Sequence, residues 1–382
     1  MSAAPATIAG VWAAISLAVV AFSVGCALLR PLLLARRTYR GRAEPVSVVI
    51  PVKLLDPGFL EAQRSVLREM RPGDEIIVSA REGASPALDA ARAVFADAPA
   101  RLLRSTATFA ASPKVDNLVE AIEAASHDLI FMKDSNVELP PGAIRQACLT
   151  LADDVGLVCA IPRAGDARNF AARVEAQIMN QSHGRLLLMG DALGLGFGVG
   201  KIMVFRRSAL ARIGGLAAVG HSVGEDSALA NALARIGLRT RFMPQNVFQR
   251  LGARRWRDVW ARQMRWTAVR AHNTPLPYAL EPVGLCIVAA LAAGLAAPLL
   301  GLPFVAGVVL CLLLWFALET LLALHEGWDV SLSAPAVMVA RDAMMLAVWV
   351  CAPFVRRVTW AGAAMPVQAD GRLLAPGEKG KI

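Results

Sequence analysis

Charge is scarce in this 382-residue sequence: Asp, Glu, Lys and Arg make up 18% of it, against 56% apolar residues, and the mean hydropathy is +0.49. That composition excludes a disordered chain and an ordinary soluble domain, and it calls for a membrane. Lysine is rarer still. Only Lys53, Lys114, Lys133, Lys201, Lys379 and Lys381 are lysine, so arginine carries almost all of the net charge of +10. On a membrane protein such an excess points to phosphates and anionic headgroups before nucleic acid. The six cysteines form no CxxC or metal-type spacing, and Cys26, Cys286, Cys311 and Cys351 fall in apolar stretches, as small core residues of a reducing compartment do. His127, His221, His272 and His325 form no ligand spacing and take no assignment. Internal repeats and low-complexity tracts are missing too.

What is present is long apolar runs. Residues 1–29 carry no charge, and since a bilayer core takes about 20 apolar residues of helix, 8–29 is expected to span it. Arg30, Arg36, Arg37, Arg40 and Arg42 follow that run instead of preceding it, which argues against a cleaved signal peptide and puts the following chain on the cytosolic side. Residues 282–318 are a second stretch of 37 residues without a charge, split by Pro298, Gly301 and Pro303 into two rather short helices that form a hairpin. A third segment, 335–355, has Arg341 and Asp342 at its middle, so in lipid both must face protein or the helix must lie at the surface. Its topology stays open, because a full crossing would carry Arg356 and Arg357 outward. The sequence thus divides into an anchor with a basic juxtamembrane segment (1–44), a cytosolic domain (45–281), C-terminal membrane helices (282–360) and a polar tail (361–382). The expected setting is a bacterial inner membrane.

Within 45–281 the composition is ordinary, and short β-rich runs at 46–50, 75–78, 129–132, 157–161 and 202–205 alternate with helical patterns. That alternation predicts an α/β domain with a mixed, mostly parallel sheet. Val115, Leu118, Val119 and Ile122 mark one buried helix face, and similar helices are expected at 60–70, 86–95, 142–151 and 227–236. Ligands of such sheets bind beyond the carboxyl ends of the strands. Lys53, the stretch 80–83 and Lys133-Asp134-Ser135-Asn136 follow three of them. Asp134 ends an apolar strand, the context in which nucleotide-sugar enzymes place a carboxylate for a divalent metal; taken alone it also reads as an Asx turn. Gly224-Glu225-Asp226 precedes a helix, where Asp226 reads equally as an N-cap. Some 40 residues later comes Gln263-Met264-Arg265-Trp266, in a helix (252–271) whose Trp256, Val259, Trp260 and Met264 share one face and Arg255, Asp258, Arg262 and Arg265 another, as a helix at a membrane surface does. The run Gly194-x-Gly196-x-Gly198-x-Gly200-Lys201 lacks the spacing of a P-loop and leads into a strand, so a flexible acceptor-side loop is expected there.

These parts together resemble the processive-type family 2 glycosyltransferases and, most closely, the ceramide glucosyltransferases of family 21. The likeness rests on Ser112-Pro113-Lys114-Val115-Asp116-Asn117-Leu118, Lys133-Asp134-Ser135-Asn136-Val137, Gly156-Leu157-Val158 with Pro162, Ser182-His183, Gly224-Glu225-Asp226, Gln263-x-x-Arg265-Trp266, and the final Arg341-Asp342 helix and Trp360. It implies a cytosolic GT-A domain on a membrane, inverting chemistry, a UDP-sugar donor, a lipid acceptor and a divalent metal, Mg or Mn, on Asp134. It further implies that Asp226 takes the proton from a lipid primary alcohol while the metal and Arg265 balance the diphosphate. Glu82 and Lys114 would hold uridine and phosphate, with Asn117 in the same loop, Gln263 at the diphosphate, Trp266 near the sugar or acceptor, and His183 at the donor. Asn117 also reads as a helix-start cap, and a lone His183 as a structural residue.

Two positions depart from the family pattern. Glu82 stands where these enzymes usually carry an aspartate for the base, and Asn136 replaces the second acid of an Asp-x-Asp. A single charged ligand implies weaker metal binding, completed by diphosphate and water, with Lys114, Lys53 and Arg265 sharing the donor. The activity expected is transfer of glucose from UDP-glucose to ceramide. The alternatives are a hopanoid or other polyisoprenoid-lipid N-acetylglucosaminyltransferase and a non-catalytic nucleotide-sugar-binding membrane subunit. Processive polysaccharide synthases generally carry more spanning helices.

Overall fold

In chain order the described strands are β1 (Ser47–Pro51), β2 (Glu75–Arg81), β3 (Ala100–Ser105), β4 (Leu129–Lys133), β5 (Val155–Cys159), β6 (Pro162–Ala167), β7 (Ile202–Arg206), β8 (Arg239–Phe242), β9 (Val247–Gly252), β10 (Arg357–Trp360) and β11 (Ala363–Pro366) in the computed structural model, the last two forming an antiparallel pair of their own. It describes residues 3–81, 85–108, 110, 112–220, 222, 224–355, 357–360 and 363–366. The chain forms two units from interleaved segments, one drawn from 36–166, 194–252 and 356–382, the other from 1–35, 167–193 and 253–355.

The first unit is the α/β domain. Seven strands form one sheet in the order β3-β2-β1-β4-β7-β5-β8, while β6 and β9 make a separate pair. β3, β2, β1 and β4 run parallel, β7 runs antiparallel to both β4 and β5, and β5 is parallel to β8. The central strands are apolar without alternation because both faces are covered: Val48, Val49, Ile50, Ile76, Ile77, Val78, Ile130 and Phe131 are all fully buried. Phe59 and Val66 of helix Phe59–Glu69, Leu88 and Ala91 of Pro86–Val94, and Ile144 and Ala147 of Ala143–Thr150 complete that core. The five β-rich runs become strands. Two strands of the seven-stranded sheet escape the pattern, β3 and β8, and both are edges whose sequences, Ala-Arg-Leu-Leu-Arg-Ser and Arg-Thr-Arg-Phe, are interrupted by the arginines that protect an edge from further pairing; the separate pair, β6 and β9, escapes it as well. β5 starts two residues earlier than its apolar run, with a register irregularity between Val155 and Leu157. A Cβ on the intervening Gly156 would lie 2.7 Å from Leu238 Cβ.

The second unit is helical. Among the described residues three helices are long and apolar enough to cross a membrane, at Ala4–Ala35, Phe304–His325 and Ala334–Phe354, and Cys286–Leu300 is a shorter apolar helix. The hairpin turns where expected, through the short helix Ala297–Leu300, Gly301 at φ 72° and Pro303. Its arms approach at Gly307, where a Cβ would stand 2.6 Å from Ala293 O, the close crossing that small residues permit. The second arm runs past Leu318 because Glu319 is fully buried with partners: it accepts from Trp315 Nε1 at 3.0 Å and pairs with Arg341 at 2.8 Å. Arg341 also bonds Asp342 at 2.6 Å, and Asp342 accepts from the Cys286 backbone N–H. The two mid-helix charges therefore face protein, which removes their cost in lipid. Arg30 is buried as well and bonds Asp191 of helix Arg185–Ala192 at 2.7 Å. Helix Trp256–Asn273 overlaps the helix expected at 252–271 but starts four residues later, because Gly252 still closes β9; Arg262 is turned inward to Glu175 at 2.5 Å, and Arg254 lies 3.2 Å from the same fully buried carboxylate.

Candidate active site

Antiparallel pairing of β4 with β7 builds the centre of the α/β unit. Lys133 faces Ile202 in the register, so the residue leaving β4, Asp134, meets the residue preceding β7, Lys201. Asp134 N donates to Lys201 O at 3.0 Å, and Lys201 Nζ lies 3.2 Å from Asp134 Oδ2. Lys114, in the first turn of helix Pro113–Glu123, reaches the other oxygen, Oδ1, at 3.0 Å. The same ammonium is 2.8 Å from Glu225 Oε1 and donates to Gly200 O at 3.3 Å.

Asp226 is the second residue of helix Glu225–Arg235, whose N-cap is Gly224, so it does not act as the cap. Its carboxylate accepts from Gly200 N and Ser227 N, both at 2.8 Å. The glycine-rich run is closely packed here. A Cβ on Gly198 would stand 2.2 Å from Asp226 O, and one on Gly196 2.1 Å from Thr240 O. The expectation of a flexible acceptor-side loop therefore gives way to glycines demanded by close backbone approach.

The electrostatics set these groups apart. Burial, followed by the Glu225 charge, pushes Asp226 up to about 6, against the pull of Lys114 and the two backbone N–H groups. Burial also acts to raise Asp134, but Lys114 and Lys201 outweigh it and hold that carboxyl below its ordinary value. Burial would lower Lys114, yet Asp134 and Glu225 hold its ammonium above the ordinary lysine range. Lys133 is fully buried, donates to Asp134 O at 3.1 Å, and is lowered by that burial to about 7.

Asn117 lies inside its helix, where Ser112 holds the capping position, and its amide donates to Val52 O at 3.3 Å, tying the helix to the chain beyond β1. Asn136 donates to Asp56 Oδ2 at 2.9 Å, a contact invisible in the sequence. Among the described residues no three of His, Cys, Asp and Glu come together as a metal site. Both oxygens of Asp134 face ammonium nitrogens instead. A hard dication competes for those same lone pairs and is repelled by both cations, so the residues in this arrangement do not fit it. Lys201 and Glu225 are site members that sequence reasoning left unassigned; their only signal was their place beside motifs that had been read for other residues.

Glu82 lies outside the described residues. Gln263, Arg265, Trp266 and His183 belong to the helical unit. Gln263 is fully buried, and neither end of its amide has a hydrogen-bond partner among the described residues. The His183 ring packs 5.6 Å from that of Trp266, from a π-helical turn, Ile178–Gly184, a geometry frequent at functional sites. Burial and then Arg270 lower His183 to about 3, so its imidazole is neutral at pH 7.

The profile of glycosyl transferase family 21 matches residues 10–373. Ceramide glucosyltransferase 1 of Caenorhabditis elegans is 25% identical over 251 residues, 64% of this chain and 54% of that protein. Ceramide glucosyltransferase of Komagataella phaffii (strain GS115) is 24% identical over 307 residues, 64% of this chain and 60% of that protein. The chain thus spans less than two thirds of the length of these curated relatives. Among solved structures, a mannosyltransferase from Pyrobaculum calidifontis in complex with GDP-Man and Mn2+ is similar in fold, with a TM-score of 0.51 and 19% identity over 89% of this chain and 98% of that one.

Proposed function

Since this chain belongs to glycosyl transferase family 21, we propose that it transfers a hexose, glucose in the first place, from a UDP-sugar to the primary hydroxyl of ceramide, with inversion at the anomeric carbon. The observation that carries the reading is Asp226. It is a carboxylate raised to about 6, hydrogen-bonded only through backbone N–H groups among the contacts above, and set in the same cluster as Lys114 and Asp134. A general base works best with a pKa near the operating pH. Asp226 takes the proton of the acceptor hydroxyl as its oxygen bonds to the anomeric carbon, and the bond to the diphosphate breaks with its electron pair leaving on UDP. Lys114, held charged by its two carboxylates, offsets that developing charge.

Glu82 is proposed for the uracil base and Asn117 for the shape of the donor loop. Gln263, Arg265, Trp266 and His183 keep the diphosphate, acceptor and donor roles that the family resemblance implies. A divalent ion, Mg or Mn, would supply Lewis-acid charge at Asp134, but the donor set does not suit it and no step is assigned to it. The anchor and the C-terminal helices hold the reaction at a bilayer, with the catalytic unit on the cytosolic face of a bacterial inner membrane. The test is mass spectrometry of lipid products after incubating the purified protein in nanodiscs with ceramide and UDP-glucose. A glycosylceramide formed by the wild type and absent with Asp226→Asn supports the reading; no product with any UDP-hexose overturns it.

A further inference from the structure

We propose that Lys201 is a built-in cation for the donor diphosphate, so that nucleotide binding at this site does not require a divalent ion; this rests on the glycosyltransferase reading above. Lys201 stands beside Asp134 because β7 enters the sheet antiparallel to β4, and its Nζ is 3.2 Å from Asp134 Oδ2. A positive charge of the chain's own is thereby brought to the carboxylate that would hold a metal. The competing cation, Lys114, already meets three oxygens, those of Asp134, Glu225 and Gly200, and an ammonium has three hydrogens to give. Lys114 therefore acts on the diphosphate as a fixed charge, held in place by the carboxylates and the glycine strap. Lys201, on a flexible four-carbon stem with its side chain 17% exposed against 11% for Lys114, is the one that can turn toward a phosphate oxygen.

The acidic partners support the same assignment. The third residue of Asp134-Ser135-Asn136 is an amide, and it is engaged with Asp56. Asp134 is thus left as the one carboxylate of the motif, flanked by two ammonium groups. Its work in this chain is to hold the Lys201 ammonium in place. A lysine in that place offsets one unit of charge where a dication offsets two, and it needs no metal to be recruited.

The experiment is calorimetric titration of the full chain in nanodiscs with UDP and with uridine, in EDTA and in Mg2+, for the wild type, Lys201→Met and Lys201→Arg. Wild type is expected to bind UDP in EDTA. Lys201→Met is expected to lower UDP affinity in EDTA by about 10- to 100-fold, the size of one charge-assisted hydrogen bond, and to leave uridine unchanged. Lys201→Arg restores the charge and part of the affinity, and an unchanged melting temperature in both variants shows that the fold is kept. Wild-type binding of UDP only in Mg2+, or equal UDP affinity of Lys201→Met in EDTA, overturns the inference while leaving the glycosyltransferase reading intact. A wild type that binds no UDP under either condition overturns that reading itself.

Discussion

Gly200 donates its backbone N–H to Asp226 Oδ2 at 2.8 Å, and a Cβ on that glycine would stand 3.3 Å from the same oxygen and 3.2 Å from Lys114 Nζ. The glycine strap and the Asp226 carboxylate are therefore fitted to each other. Gly200→Ala is expected to lower transfer by about tenfold, since one methyl must displace both side chains by tenths of an ångström. Gly198→Ala meets backbone at 2.2 Å and is expected to cost stability as well as rate. Turnover measured beside thermal melting separates the two, and two variants alike in both readouts would refute the difference.

As the proposed base Asp226 must be ionised to accept a proton, and burial beside Glu225 pushes its carboxyl up to about 6. The acceptor kcat/KM is therefore expected to fall about tenfold per pH unit below 6 and to level off above it. Asp226→Asn should lose roughly 100- to 10,000-fold of the rate. A profile that is flat from pH 5 to 8 would remove Asp226 as the base.

Stability runs the other way at the same residue. A carboxyl whose folded pKa is raised favours the folded state while protonated, so its contribution is complete below the ordinary value of 3.8 and is lost as pH rises through about 6. Asp226→Asn is expected to melt higher than wild type at pH 8, by on the order of 1 kcal/mol given the partial exposure of the site, and to match it at pH 4. Melting curves at the two pH values decide it.

Lys114→Met leaves Asp134 and Glu225 without the cation they share, and a loss of about 3 kcal/mol is expected. Asp134 is held below its ordinary value, so its stabilisation is present above the unfolded pKa and disappears as pH falls through the folded one. The deficit of the variant against wild type is therefore largest at neutral pH and shrinks on acidification. A deficit that does not change with pH would show that packing, and not charge, is lost.

In the helical unit, Arg341→Met strands Glu319 and Asp342 as buried charges, and destabilisation of about 3–5 kcal/mol is expected in detergent. Adding Glu319→Gln to it should recover part of that loss. Simple additivity of the two substitutions would show that the residues do not act as a pair.

What could be read from the sequence follows from how local each signal was. The central strands were legible because burial on both faces leaves an unbroken apolar run, whereas β3 and β8 were not, because an edge strand is half polar. Asp134 and Asp226 announced themselves by motif. Lys201 did not, since its meeting with Asp134 is made by strand pairing across 67 residues, and a lysine before a strand is commonplace. Glu319 misled in the opposite sense. A carboxylate ordinarily closes an apolar stretch, and only its pairing with Arg341 and Trp315 lets the helix continue to His325.

The ion pair of Arg30 with Asp191 sets an order of assembly. The partners lie 161 residues apart, so at about 5–20 residues per second of synthesis the first helix waits roughly 8–30 seconds for its counter-charge to emerge. Until then Arg30 must stay hydrated at the membrane interface, and the pair can close only after helix Arg185–Ala192 has been made. A truncation that begins after the anchor would take the Arg30 guanidinium away from the buried Asp191, so removing the first helix to obtain a soluble protein takes away a piece of the fold, not merely a tether.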